Sequence, residues 1–182
     1  MATHAVELYF DDQTEALVRR LWRLLADAGA EDSQHVLGLR PHLSLTVAEG
    51  VDTDGMREVL AEWAARTEPF AVTLSSIGVF PGERGVVFLA PTPRARLLQV
   101  HADFQVAFAG FLGKQQAWYR PDRWVPHVTL AHVGGAARAG RVLATSWDQA
   151  LPIEGRVVQV GLSKIRPSVL RYLFPLEGSD EP

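Results

Sequence analysis

Two five-residue segments of this chain obey one rule. Pro41-His42-Leu43-Ser44-Leu45 and Pro126-His127-Val128-Thr129-Leu130 each read proline, histidine, apolar residue, hydroxyl residue, leucine. The histidines lie 85 residues apart, and a hairpin proline follows each, Pro81 after 39 residues and Pro167 after 40. From composition alone, two full matches arise in roughly one such sequence in 10⁴–10⁵. Repeated landmarks at matched spacing imply a duplicated α+β unit, with equivalent strands facing each other across a shared cleft. The 182 residues then make one domain over residues 1–177, built of two pseudo-symmetric lobes, with a disordered tail over 178–182.

The patterning agrees with a repeat of helix, strand, helix and hairpin after an opening strand. Alternation predicts that strand over Ala5–Phe10. A helix capped by Asp11 or Asp12 runs to about Ala28 and stops at Gly29, with Leu17, Leu21, Leu24 and Ala28 as its apolar stripe. A strand over His42–Ala48 follows, then a helix capped by Asp52 or Thr53 that carries Met56, Leu60 and Trp63 on one side. Residues Phe70–Ala90 read as a hairpin turning at Pro81–Gly85. The second unit has a helix from about Pro93 with Leu97, His101, Phe104, Phe108 and Phe111 in register, then a loop over Gly113–Val125. A strand over His127–Val133 and a helix over Ala136–Gln149 lead to a hairpin, Ile153–Ile165 with Val169–Leu176, turning at Arg166-Pro167-Ser168.

In a strand, residues i and i+2 share a face. His42 with Ser44, and His127 with Thr129, therefore line the cleft, while Leu43, Leu45, Val128 and Leu130 point into apolar packing. Two imidazoles on opposite sides of a phosphate suit general acid–base catalysis, because histidine titrates near neutral pH and one can be free while the other carries a proton. The hydroxyls of Ser44 and Thr129 would donate to non-bridging phosphoryl oxygens. Such chemistry needs no metal and no cofactor, and the chain has no cysteine and no local third ligand to complete a zinc site beside either histidine. A net charge of −3 excludes non-specific binding of long nucleic acid, though local arginines can hold a short or terminal one. No signal-like or bilayer-spanning segment is present, so the expected setting is soluble and cytoplasmic.

The paired His-x-Ser/Thr-x segments resemble the motifs of the two-histidine (2H) phosphoesterase superfamily, and within it the 2′-5′ RNA ligase and 2′,3′-cyclic phosphodiesterase group. Phe80-Pro81 at the first hairpin, Ala131 after the second motif and Tyr172 in the closing strand extend the similarity. The first motif carries Ser44 where threonine is commoner, which keeps the hydroxyl. The resemblance implies a bilobal α+β fold, two antiparallel sheets flanking a central cleft with helices outside. It also implies metal-independent opening of 2′,3′-cyclic phosphates on RNA ends or nucleotides to 2′-phosphates, with 2′-5′ joining as the reverse. His42 and His127 would be the catalytic pair, with Ser44 and Thr129 binding phosphate. Arg40, Arg120, Arg123 and Arg166 are candidate phosphate contacts by position, and Tyr172, Phe80 and Trp124 candidate base-stacking residues. His132, five residues past His127, faces away from the cleft in a regular strand. His4, His35, His101 and His132 receive no role, and Gly78–Gly85 reads as a hairpin turn rather than a phosphate loop. A monomer without a protein partner is expected. The competing reading is a non-catalytic nucleotide-binding module using the same cleft.

Overall fold

Proline at the entry of each motif, an N-cap aspartate and a left-handed glycine mark the places where this chain changes element. In a computed structural model, which describes residues 2–30, 33–36, 38–149 and 151–179, β1 (Thr3–Phe10) leads into α1 (Asp12–Asp27). Asp11 caps α1 by accepting from the Thr14 N–H at 2.8 Å, and Gly29 leaves it with φ +63°, a conformation glycine adopts without strain. A short α2 (Ser33–Val36) precedes β2 (His42–Glu49), α3 (Thr53–Arg66), β3 (Phe70–Phe80) and β4 (Gly85–Pro91). Asp52 caps α3 through the Gly55 N–H at 3.0 Å. The second unit runs α4 (Ala95–Phe108), β5 (Lys114–Gln115), a 3₁₀ turn (Ala117–Tyr119), β6 (Val128–Val133), α5 (Ala136–Ser146), β7 (Ile153–Lys164) and β8 (Val169–Pro175). Helix, strand, helix and hairpin thus recur in the expected order.

The two expected antiparallel sheets are joined edge to edge. All pairings are antiparallel, in the order β5-β2-β1-β7-β3-β4-β6 with β8 also on β7. The join is β7. Its residues 157–164 pair with β1 and its residues 153–157 with β3. A twelve-residue strand can serve both halves because strand twist turns its two ends toward different neighbours. Helices α3 and α4 pack against β8, β7 and β3, and α1 and α5 against β7, β4 and β6. Trp63 of α3 meets Phe104 and Phe108 of α4 edge-on at 6.1 Å.

Four details depart from the sequence reading. Helix α1 buries Thr14, Val18, Leu21, Trp22 and Leu25, not the Leu17 stripe. Leu17 is 39% exposed, because two polar-tipped residues belong to the buried face: Thr14 lies against Gly155, where a side chain on the glycine would strike it, and Trp22 reaches β6. Helix α4 starts after Pro93, with Arg94 as N-cap. The 113–125 loop contains β5 and the 3₁₀ turn. Gly178 is held by its N–H on the Thr67 carbonyl at 3.1 Å, so ordered chain continues past residue 177; residues 180–182 lie outside the described residues.

Candidate active site

Each motif strand carries a β-bulge at the same place. Between β1 and β2, Val6 pairs with Thr46 but Glu7 with Ser44, leaving Leu45 as the extra residue. Between β4 and β6, Val87 pairs with Ala131 but Phe88 with Thr129, leaving Leu130 extra. Both leucines are buried, at 0% and 1% exposure. A bulge adds twist and re-aims the chain beyond it. It also reverses the alternation past that point, so His132, opposite Val86, lies on the same face as Phe88, Thr129 and His127. The assumption of a regular strand had turned it away.

The two histidines are held alike. His42 Nδ1 lies 2.7 Å from the Arg40 carbonyl, and His127 Nδ1 lies 2.8 Å from the Val125 carbonyl. A carbonyl only accepts, so each Nδ1 carries a proton and donates it, which leaves Nε2 of each ring as the atom that can take or give a proton. The proline between histidine and carbonyl favours an extended residue before it and aims that carbonyl back at the ring. Behind each hydroxyl residue stands a tryptophan. Trp124 donates to the Ser44 carbonyl at 3.0 Å and Trp22 to the Thr129 carbonyl at 3.0 Å. The likeness of the two motifs therefore extends to the atoms that fix each one.

The surroundings of the rings differ. His42 faces Tyr9 across the β1–β2 pair, and its Nε2 is 3.4 Å from Glu7 Oε1. Glu7 is 8% exposed and its other oxygen accepts from Tyr9 at 2.5 Å and Ser163 at 2.6 Å. Burial, then the Glu7 charge, pushes the Tyr9 hydroxyl well above its ordinary range, so it stays a donor. Burial pushes the Tyr119 hydroxyl up to about 12, with Ser44 opposing the rise. His127 packs instead against apolar rings, Phe80 at 5.0 Å edge-on and Phe88 at 5.4 Å. Burial holds its pKa below the usual histidine value; the Val125 carbonyl opposes this, and the charges of His42 and His132 add to it. The two motif strands, β2 and β6, lie in contact with each other.

The structure separates the other candidates. Phe80 lies against His127. Arg40 sits at the rim beside His42, its guanidinium 4.7 Å above the Tyr9 ring and paired with Glu15 at 2.8 Å. Arg166 lines a hollow with His132. Arg120 lines a separate hollow with Lys114 and Gln105, and Arg123 is an exposed partner of Asp122 at 3.8 Å. Trp124 is 8% exposed and stacks flat on His101 at 3.9 Å, so it supports the strand and offers no face to a base. Tyr172 pairs with Leu162, itself opposite Val6, on the reverse of the face carrying Glu7, and its hydroxyl donates to the Thr53 carbonyl at 3.2 Å. Sequence reasoning missed Glu7, Tyr119 and His132. Only Glu7 had a signal, an acid within an apolar strand. Among the described residues no group of three or more histidine, aspartate or glutamate residues is placed to hold a metal ion, and no helix is long and apolar enough to cross a membrane.

A pair of histidine strands in a mixed α/β frame fits the 2H phosphoesterase superfamily. The chain belongs to the 2′-5′ RNA ligase superfamily, whose family model matches residues 10–167, and so to a group of phosphoesterase- and ligase-type enzymes. Solved structures share the fold at low identity. TT0787 of Thermus thermophilus is 18% identical with a TM-score of 0.66, covering 97% of this chain and 99% of its own. E. coli LigT complexed with 3′-AMP is 16% identical with a TM-score of 0.62, covering 96% and 98%. Usb1 of Kluyveromyces marxianus is 13% identical with a TM-score of 0.54, covering 96% and 97%. No curated protein matched the chain in sequence.

Proposed function

We propose that this chain is a metal-independent phosphodiesterase that opens 2′,3′-cyclic phosphates on RNA ends or nucleotides to 2′-phosphates, with 2′-5′ ligation as the same ring opening by an RNA 5′-hydroxyl in place of water. The observation that carries this reading is the matched anchoring of both Nδ1 atoms on carbonyls, which dedicates both Nε2 atoms to proton transfer. His127, held below its usual pKa, is neutral near pH 7 and serves as general base. It takes a proton from the attacking water as the new P–O bond forms. His42 Nε2–H, beside the Glu7 carboxylate, gives its proton to the 3′ oxygen as the P–O3′ bond breaks. Ser44 and Thr129 donate to the non-bridging oxygens where charge accumulates. With a 5′-hydroxyl as nucleophile the two histidines keep these roles, and they exchange only when a 2′-5′ diester or 2′-phosphate closes back to the cyclic phosphate. LigT has been solved with 3′-AMP, a nucleotide monophosphate.

The test is turnover of nucleoside 2′,3′-cyclic phosphates and of a short RNA ending in one, in excess EDTA, with product position read by ³¹P NMR. A 2′-phosphate formed at an undiminished rate in chelator supports the reading. Binding without turnover would favour the nucleotide-binding module, and loss of activity in chelator would favour a metal-dependent hydrolase.

A further inference from the structure

At the far end of the strand that follows His127 the surface opens into a hollow of about 380 Å³ lined by Glu83, Arg84, His132, Val133, Gly134 and Arg166. Three separate segments build it: the β3–β4 turn, the end of β6 and the β7–β8 turn. The Leu130 bulge is what turns His132 onto the site's face, and His132 is close enough to act electrostatically on His127. The lining holds two guanidiniums, Arg84 and Arg166, and one carboxylate, Glu83, so it carries a net positive charge that does not depend on the state of His132. Guanidinium is the side chain best matched to a phosphate group, through two parallel N–H donors. Thr129, which would hold the reacting phosphate, lies opposite Phe88 and His132 opposite Val86, so the two stand roughly 7 Å apart along the strand at about 3.3 Å per residue, within the reach of one nucleotide unit.

We propose that this hollow is an anion subsite in which Arg84 and Arg166 bind a second phosphate group of the substrate. The inference rests on the reading of the His42–His127 cleft as the place of the first phosphate. It makes the preferred substrate a 2′,3′-cyclic phosphate that carries another phosphate one sugar away. Nucleosides with the cyclic phosphate alone become the poorer class. A 5′-phosphomonoester and an internucleotide phosphodiester share the recognised chemistry.

The test is a binding comparison that requires no turnover. Calorimetry would measure the affinity of a nucleoside 2′-monophosphate, of the same nucleoside 2′,5′-bisphosphate, and of a dinucleotide ending in a 2′-phosphate. The proteins are wild type, Arg84→Gln, Arg166→Gln, the double variant and Arg123→Gln, the last an exposed arginine elsewhere. The wild type is expected to bind at least one ligand with a second phosphate about tenfold more tightly than the monophosphate, and whichever ligand gains more identifies the source. Each single variant should lose most of that advantage and the double variant all of it, while Arg123→Gln keeps it. Equal affinities in the wild type, an advantage that survives the double substitution, or an equal loss in Arg123→Gln would overturn the subsite. An intact advantage in a protein that turns over no cyclic phosphate would overturn the catalytic reading and leave the subsite standing. Turnover without the advantage would do the opposite.

Discussion

Lowering the pH from 7.5 to 4 should remove about 3 kcal/mol of stability through one buried side chain, His101. It is 2% exposed, stacked on Trp124 at 3.9 Å, and bonded to the Tyr119 carbonyl at 3.0 Å. Burial outweighs that hydrogen bond and pushes its pKa down to about 4 from 6.5. A group whose pKa is lower folded than unfolded takes up its proton more readily when unfolded. Its contribution is therefore complete above pH 6.5, lost as pH falls from 6.5 toward 4, and flat below. At about 1.36 kcal/mol per unit, the 2.5-unit difference sets the figure of about 3 kcal/mol. His4 and His127 are also lowered and act in the same direction, so the His101 share must be isolated. His101→Gln keeps an amide donor for Tyr119 and removes the titration. Urea unfolding of both proteins at pH 7.5 and 4 should show the variant less stable at pH 7.5 but about 3 kcal/mol less sensitive to acid. Equal acid losses in the two proteins would refute the reasoning. Because Trp124 also donates to the Ser44 carbonyl, acid loosening at His101 should reach the site before global unfolding.

Three further outcomes follow from the site. With His127 as base, kcat/KM for a cyclic nucleotide should be bell-shaped, and its acidic limb should lie below pH 6.5, since the His127 pKa is lowered; a pH–rate profile flat from 5 to 9 contradicts this. Trp22→Phe leaves the Thr129 carbonyl without its 3.0 Å donor, and should cost about 1–3 kcal/mol in chemical denaturation while lowering kcat more than it raises KM. A methyl on Gly78 would strike the Phe88 ring, which packs on His127. Gly78→Ala should therefore cost about 1–3 kcal/mol and reduce turnover, both checked against wild type by thermal melts and initial rates.

The motif strands and the repeat were legible because their signals are local: a period of two, a proline before each histidine, caps at Asp11 and Asp52. Register was not. The stripe of α1 was misphased because Thr14 and Trp22 face inward for tertiary reasons, a close glycine and a distant carbonyl. His132 was assigned to the wrong face because a bulge at Leu130 leaves no mark in the residue pattern. Trp124 offered an aromatic ring to sequence reasoning without its orientation, and the His101 stack and Ser44 carbonyl settle that orientation. Glu7 was visible as an acid in β1, yet its meaning depends on the pairing that sets β1 beside β2.

The central claim is that His42 and His127 act as one proton-transfer unit. Its most direct test is the rate of 2′,3′-cyclic phosphate hydrolysis in excess EDTA by wild type, His42→Ala, His127→Ala and the double variant. Each single substitution is expected to lower kcat/KM by at least about 10²-fold, and the double variant should be far less than multiplicatively worse. A single variant that keeps near-wild-type activity, or fully multiplicative losses, would contradict the account.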